Sequence, residues 1–514
     1  GTVVSGELSG CVRAVCRMSA VPAGAGPHVR DDSGKSAPLQ KYEQEIMSAT
    51  IKGAAAELGT ERIRKLLVQY AVPAVIAMTA ASLYNMVDSI FIGHGVGPLA
   101  ISGLALTFPL MNLAAAFGSL VGVGAATLVS MRLGQRDYET AQNILGNVVV
   151  LNLIIGLSFG LVTLLFLDPI LYFFGASDAT IGYARDYMTI ILLGNVITHM
   201  YLGLNSVLRA SGHPRKSMYA TIYTVVINAA LDPLFIYGFG WGIRGAAVAT
   251  ILAQVIALVW QFHILSDKSE LLHFRPGIYR LRRKIVRDIL AIGMSPFLMN
   301  LAACFIVILI NKGLKQYGGD LMIGAYGIVN RLAFFFVMIV MGINQGMQPI
   351  AGYNFGARQY ERVLRVLKLT IIGATCVTMA GFLMGELVPR LAVSAFTNDP
   401  ELIRLSVEGM RIVFICFPII GFQMVATNFF MSIGMAGKAI FLSLSRQLLF
   451  LMPGLIFLPH IFDVYTRWDG SWGVWCSMPL SDLLASVVAF CMLAYQLRKF
   501  RAKMDAAPAM NNPE

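Results

Sequence analysis

Twelve apolar stretches, each about 20 residues or more, are long enough to cross the hydrocarbon of a bilayer as helices, and they exclude an ordinary soluble fold. They lie at roughly 66–92, 101–131, 139–167, 180–203, 215–238 and 243–265, then again at roughly 288–312, 321–352, 362–388, 402–430, 438–459 and 472–497. Water is absent from that medium, so every backbone N–H and C=O must be bonded within the span, which selects helix. The 57% hydrophobic and 13% charged residues agree, and so does a mean hydropathy of +0.68. The expected fold is an all-α polytopic membrane protein of twelve transmembrane helices.

The chain is also written twice. Gly134, Arg136, Tyr138 and Glu139 in GQRDYE return as Gly356, Arg358, Tyr360 and Glu361 in GARQYE, a displacement of 356 − 134 = 222 residues. Gly124 falls on Gly346, Leu110 on Leu332, Gly212 on Gly434 and Lys216 on Lys438 at the same offset. Six spans per copy is an even number, so both copies enter the membrane in the same direction. The result is two six-helix bundles related by a parallel internal repeat, an arrangement that commonly places a substrate between its halves.

A net charge of +12 would suit nucleic acid if it gathered on a soluble domain, but here it follows the loops. Arg62, Arg64 and Lys65 precede the first span, Arg132 and Arg136 follow the second, and Arg209, Arg215 and Lys216 follow the fourth. Arg280, Arg282 and Arg283 lie between the sixth and seventh, Arg362, Arg365 and Lys368 after the eighth, and Arg498 and Arg501 near the end. The alternate connections are poorer in basic residues. By the positive-inside bias both termini are cytoplasmic, and the chain is expected in the plasma (inner) membrane with no nucleic-acid partner. The seven cysteines show no metal or redox spacing.

Residues 1–60 are expected to be a largely disordered leader, 61–265 the first lobe, 266–287 a basic cytoplasmic linker with an amphipathic segment, 288–500 the second lobe and 501–514 a cytoplasmic tail. Residues 1–46 are rich in Gly, Ser, Ala and Pro without an apolar run, and the native start is expected near Met47. The segment DSGKS fails as a phosphate loop because Val29 stands where its first glycine belongs.

Ionisable groups within a span are unfavourable by about 2.5–3.5 kcal/mol and call for a reason. Asp88, in SLYNMVDSIFIG, and Asp232, in VVINAALDPLFIYG, reach similar depths near the outer ends of the first and fifth spans. Tyr84 lies one helical turn from Asp88 and Asn228 one turn from Asp232, while Thr250 enters the sixth span from the same side. Such oxygens can carry a proton, if burial raises a carboxylate pKa, or hold a hard cation such as Na+ at Asp88, Asn228, Asp232 and Thr250. The bland alternative is that acids this near a helix end face the headgroups. In the second copy the matching places hold Val307 and Asn311. Its charged candidates are Arg331, Arg446 and Asp482, either an ion pair or, for Arg331, part of a cavity wall, with Gln345 as a further polar candidate. Pro73 and Pro296 occupy corresponding places, so Pro73 is a candidate hinge or a static kink. Neither a zinc-protease motif nor a convincing Ser/His pair appears, which disfavours an intramembrane enzyme.

The runs AVPAV, SLYNMVDSIFIG, LGQRDYETA, LRASGHPRKSM and INAALDPLFIYGFGWGIRGAAVAT, with MQPIAGYNFGAR and MSIGMAGKA, resemble the MATE (multidrug and toxic compound extrusion) transporters, and within them the DinF-like branch. The resemblance covers about residues 57–500. It implies a V-shaped fold of two six-helix bundles and a cation-coupled multidrug antiporter of alternating access, without cofactor, its coupling ion H+ or Na+. Implied substrates are small amphipathic, cationic organic compounds, handled by a monomer in the bilayer. The family's first-lobe cation site maps onto Asp88, Asn228, Asp232 and Thr250, with Tyr84 and Asn205 as neighbours and Pro73 at the bend of the first span. Other branches carry acids in the seventh and tenth spans, which this chain lacks. The nearest rival is a flippase for lipid-linked or amphipathic lipids of the same superfamily, with an intramembrane enzyme a remote third.

Overall fold

The computed structural model describes residues 28–30, 36–38 and 54–506, apart from 97, 175, 398 and 466–468; side chains of residues 83–90 lie outside the described residues. It divides into two units, Gly1–Gly53 and Ala54–Glu514. In the first, strands β1 (His28–Arg30) and β2 (Ser36–Pro38) pair antiparallel, Val29 opposite Ala37; the other residues of this unit lie outside the described residues.

The second unit is helical. It opens with α1 (Ala54–Thr60), so the last residues assigned to the leader are in fact structured: Leu58 is fully buried and its carbonyl accepts from Asn354 and Arg362. The first copy follows as α2 (Ile63–Gly95), α3 (Pro98–Gly134), α4 (Tyr138–Leu165), the short α5 (Leu167–Phe173), α6 (Ile181–Leu193), α7 (Asn195–Ala210), α8 (Pro214–Pro233) and α9 (Gly242–Ser266). The second comprises α10 (Arg283–Gly356), α11 (Tyr360–Leu387), the short α12 (Pro389–Ser394), α13 (Pro400–Phe414), α14 (Phe417–Ser432), α15 (Ala436–Leu444), α16 (Met452–Tyr465) and α17 (Gly470–Ala506). Gly319, at φ 72°, breaks α10 into two spans, a backbone region that glycine enters without steric cost. Among the described residues ten helices are long and apolar enough to cross a membrane, and twelve if α6 with α7 and α13 with α14 are each one span bent by 55° and 52°.

The duplication extends to single hydrogen bonds. Helix α3 ends where Asp137 N–H donates to Arg132 O (2.9 Å) with Arg136 left-handed at φ 60°; α10 ends where Gln359 N–H donates to Asn354 O (2.8 Å) with Arg358 at φ 59°. Such closures normally fall to glycine, since a Cβ is strained there. The copies also meet reciprocally. A Cβ added to Gly134 would strike the Tyr353 carbonyl, and one added to Gly356 would strike that of Met131, residues that are themselves repeat mates. A residue touching its partner's mate in both directions is the signature of a two-fold relation. Higher up, Gly124 meets Ile289, while Gly346 would place a Cβ 2.6 Å from Ala71 Cα. Small residues are what let helix backbones approach this closely in lipid.

The linker is non-helical over residues 267–282 and enters α10 at Arg283. Residues 267–282 cross the end of α4 as a strap: Gln142 donates to His273 O, Asn147 donates to Arg280 O (3.2 Å), and Arg282 N–H donates to Asn147 Oδ1 (3.0 Å). Glu270 fastens it to the α7–α8 turn through His213 (2.9 Å) and Lys216. Bonding to His213 holds the Glu270 carboxyl down at about 2.

Candidate cation and substrate site

Helix α8 carries the polar pair of the first copy. Asn228 and Asp232 stand one turn apart and are buried, at 1% and 0% exposure. Asn228 Nδ2 donates to Asp232 Oδ1 at 3.3 Å and lies 3.4 Å from Thr250 Oγ1 on α9. Thr250, 8% exposed, itself donates to Ala246 O at 3.0 Å. Three of the residues singled out in the sequence therefore meet across two helices, and the headgroup-facing alternative is overturned for Asp232 by its complete burial.

The backbone beside Asp232 is irregular. Pro233 cannot donate a helical hydrogen bond, and past it the chain widens into a π-turn over Leu234–Gly238, where Phe239 N–H reaches Leu234 O at 2.9 Å. Such widened turns gather at functional sites because they re-aim side chains without ending the helix. Helix α8 packs along α2, which carries Tyr84 and Asp88; both of those side chains lie outside the described residues. Asn205 is not in the cluster. It donates to Thr221 Oγ1 at 3.2 Å, two turns before Asn228 on α8, so the polar seam runs further along α8 than the sequence reading had it.

The donor set of carboxylate, amide oxygen and hydroxyl is hard and suits a proton or Na+. Asn228 Oδ1 is buried and has no hydrogen-bond partner among the described residues, an acceptor of the kind a cation would satisfy.

The remaining candidates separate. Asp482, 3% exposed on α17, is paired with Arg446 at 2.5 Å, so the ion-pair reading holds for those two. Arg446 sits in a second π-turn, Ser445–Leu451, where Met452 N–H reaches back to Gln447 O. Arg331 is exposed within the second span of α10 and has no carboxylate within ion-pair distance among the described residues. Asn311 is half-buried on the same helix. Gln345 reaches across the copies to Met78 Sδ (3.4 Å) and belongs to the lobe contact rather than the cation cluster. Helix α2 continues through Pro73 without a break, and Val75 beyond it lies 2.6 Å from where a Cβ on Gly342 would stand. His199 on α7 is fully buried between α3 and α4, its Nε2 3.0 Å from Ala114 O and its ring beside Phe159. Thr198, joined to Gln254 at 2.5 Å, was missed altogether, and its seven-residue spacing from Asn205 was the available signal.

A twice-written bundle of membrane-spanning helices, with Asp232, Asn228 and Thr250 buried together in the first copy, has the architecture of a membrane transporter. The MatE family model matches residues 73–234 and again 294–456, the two copies, and the chain belongs to that family. The multidrug export protein MepA of Staphylococcus haemolyticus is 27% identical over 445 residues, covering 87% of this chain and 96% of its own. Its counterpart in Staphylococcus aureus is 26% identical over 434 residues, 84% of this chain and 94% of its own. An outward-facing structure of a multidrug resistance MATE family transporter superposes with a TM-score of 0.81 at 24% identity, covering 88% of this chain and 99% of the other. A Pyrococcus furiosus transporter of the MOP superfamily, described as having a binding pocket of reverse polarity that suggests a different function, also scores 0.81 at 24% identity, with 87% and 99% covered.

Proposed function

We propose that the protein exports small amphipathic organic compounds across the plasma (inner) membrane by alternating access, driven by H+ or Na+ entering at Asp88, Asn228, Asp232 and Thr250. The observation that carries this is the fully buried Asp232 hydrogen-bonded to Asn228, whose own amide oxygen lacks a partner among the described residues. A buried carboxylate beside an unsatisfied acceptor gains most when a positive charge arrives, so occupancy of the site is linked to the packing of α8 against α9 and α2. The likeness to MepA supports multidrug export, and the reciprocal glycine contacts supply a two-fold seam about which the copies would rock. Both termini are then cytoplasmic, and the transporter works as a monomer. One charge moving down 100 mV supplies about 2.3 kcal/mol, enough for roughly fifty-fold accumulation.

Dye efflux in everted vesicles, with pH and sodium gradients imposed separately, tests the reading. Asp88→Asn and Asp232→Asn are expected to lower gradient-driven efflux about ten-fold or more at equal membrane content. Wild-type efflux by both under both gradients would overturn it.

Arg331 supports a second feature of the substrate path. A bare guanidinium in lipid is unfavourable by about 2.5–3.5 kcal/mol, so an exposed arginine within a span belongs on a water-filled cleft. There it disfavours cations close to the second copy and steers them towards the acids of the first.

A further inference from the structure

Where α2 and α11 begin, their first turns face one another across a cavity of about 620 Å3 whose walls include Arg62, Arg64, Arg362 and Arg365, with Glu361 the sole carboxylate among its lining residues. Arg362 is already engaged, donating to Leu58 O, Glu61 O and Asn354 Oδ1, and it fixes the α1–α2 corner of the first copy onto the second. The others are free to take a ligand. Among the described residues no carboxylate lies within ion-pair distance of Arg62, Arg64, Arg365 or Lys368, and all four are exposed.

A second cavity, of about 560 Å3, shares Arg64, Glu361 and Arg365 with the first, so the two are continuous. Its lining changes character along α11: Glu361, Leu364 and Arg365 stand at the start, Lys368 follows one turn on, and Leu369 and Ile372 continue it as apolar wall. Ile372 is 49% exposed. On α2, the residues at successive turns beyond Arg64 are Val68, Val72 and Ile76, exposed by 62%, 49% and 44%. A cationic mouth that opens onto an apolar wall running into the bilayer matches a phospholipid, head and tail, better than a soluble anion, which would leave the apolar wall unused.

We propose that this groove binds the headgroup of an anionic phospholipid, its phosphate held by Arg64, Arg365 and Lys368 and its acyl chain laid against Leu369 and Ile372. Basic pockets between helices at the positive side of a membrane are suited to this, each lysine or arginine adding to the attraction. Arg64 belongs to the first copy and Arg365 and Lys368 to the second, so one lipid bridges both. The site is separate from the Asp232 cluster and does not depend on what the protein transports.

Full-length protein in detergent, titrated with dioleoyl phosphatidylglycerol and followed by native mass spectrometry, provides the test. Wild type is expected to retain one phosphatidylglycerol with little affinity for phosphatidylcholine. The triple variant Arg64→Gln, Arg365→Gln, Lys368→Gln should bind it about ten-fold or more weakly. Arg64→Lys with Arg365→Lys should restore binding, and Arg498→Gln with Arg501→Gln, exposed on α17, should leave it unchanged. Should the triple variant fail to fold, Lys368→Gln alone is expected to show part of the loss. Equal retention by the glutamine variants, equal retention of phosphatidylcholine, or displacement of the lipid by millimolar inorganic phosphate would each overturn the assignment.

Discussion

Asn228 sits between two partners and satisfies both with one amide nitrogen, leaving its oxygen over for a third. Replacing it by leucine keeps the branched outline in a somewhat larger side chain and removes that oxygen together with the nitrogen. Asn228→Leu is therefore expected to fold, to keep its place in the membrane, and to need about ten-fold more coupling ion for half-maximal efflux. An unchanged ion dependence would remove Asn228 from the site. A different kind of residue contact is Glu270, which holds the linker strap outside the membrane. Its carboxyl titrates at about 2 in the folded protein, against 4.5 ordinarily. A depressed carboxylate stabilises the fold above its unfolded pKa and loses that contribution as pH falls through the folded value. The contribution of the Glu270 carboxylate is thus present above about 4.5 and is lost as pH falls towards about 2. Glu270→Gln should lower the melting temperature by a small amount, about 1–2 °C, at pH 7, and that difference should shrink towards pH 2. Asp232, Asn228 and Thr250 were legible in the sequence because depth and helical spacing are properties of a single span. The partner of Asp482 was not, since choosing Arg446 over Arg331 requires knowing how the eleventh and twelfth spans are turned towards each other.

Among the helices, the spans themselves were plain from hydropathy, and their breaks were not. The bend at Gly194 and its mate at Cys416 divide apolar runs that read as continuous, because the side chains on both sides remain apolar. The path of the linker is not legible for the opposite reason: its own basic and apolar residues do not reveal that Gln142 and Asn147 of α4 take up the backbone groups of His273, Arg280 and Arg282. Glycine positions are where helix packing is most exposed to test. Gly346→Leu would drive a side chain into the backbone of α2 at Ala71 and should cost about 1–3 kcal/mol or more, read as a lower melting temperature in detergent with weakened efflux. Gly327→Ala, on the same helix with nothing within 4 Å of the new Cβ, should be neutral or slightly stabilising. Equal effects from the two would mean that the approach of α2 and α10 contributes little.

The helical unit is two copies of one bundle meeting at a reciprocal seam, and the proposed cycle moves them against each other. Cysteines at Thr127 and Gln348, whose side chains meet across the seam at 2.7 Å, in a background with the native cysteines changed to serine, can be joined by a short reducible cross-linker. Cross-linked protein is expected to stop exporting and to recover on reduction, because alternating access must part the copies at this end; continued export would make the seam a fixed pivot. Arg331→Gln tests the cleft. Export of monovalent cationic dyes should rise relative to neutral ones by about two- to five-fold, a ratio that a purely structural arginine would leave alone.

The seam between Gly134 and Tyr353 and its mirror between Gly356 and Met131 has the geometry of a dimer interface, but it lies within one polypeptide. Stoichiometry follows from that. An assembly of two identical chains must carry every feature in pairs or not at all, so it would hold two ion-binding acids on the fifth-span helix or none. A single chain is free of that restriction, and this one places Asp232 in its first copy while the second spends its buried acid, Asp482, on a permanent arginine partner. The expected count is one such ion site per molecule, and one driving event for each turn of the cycle.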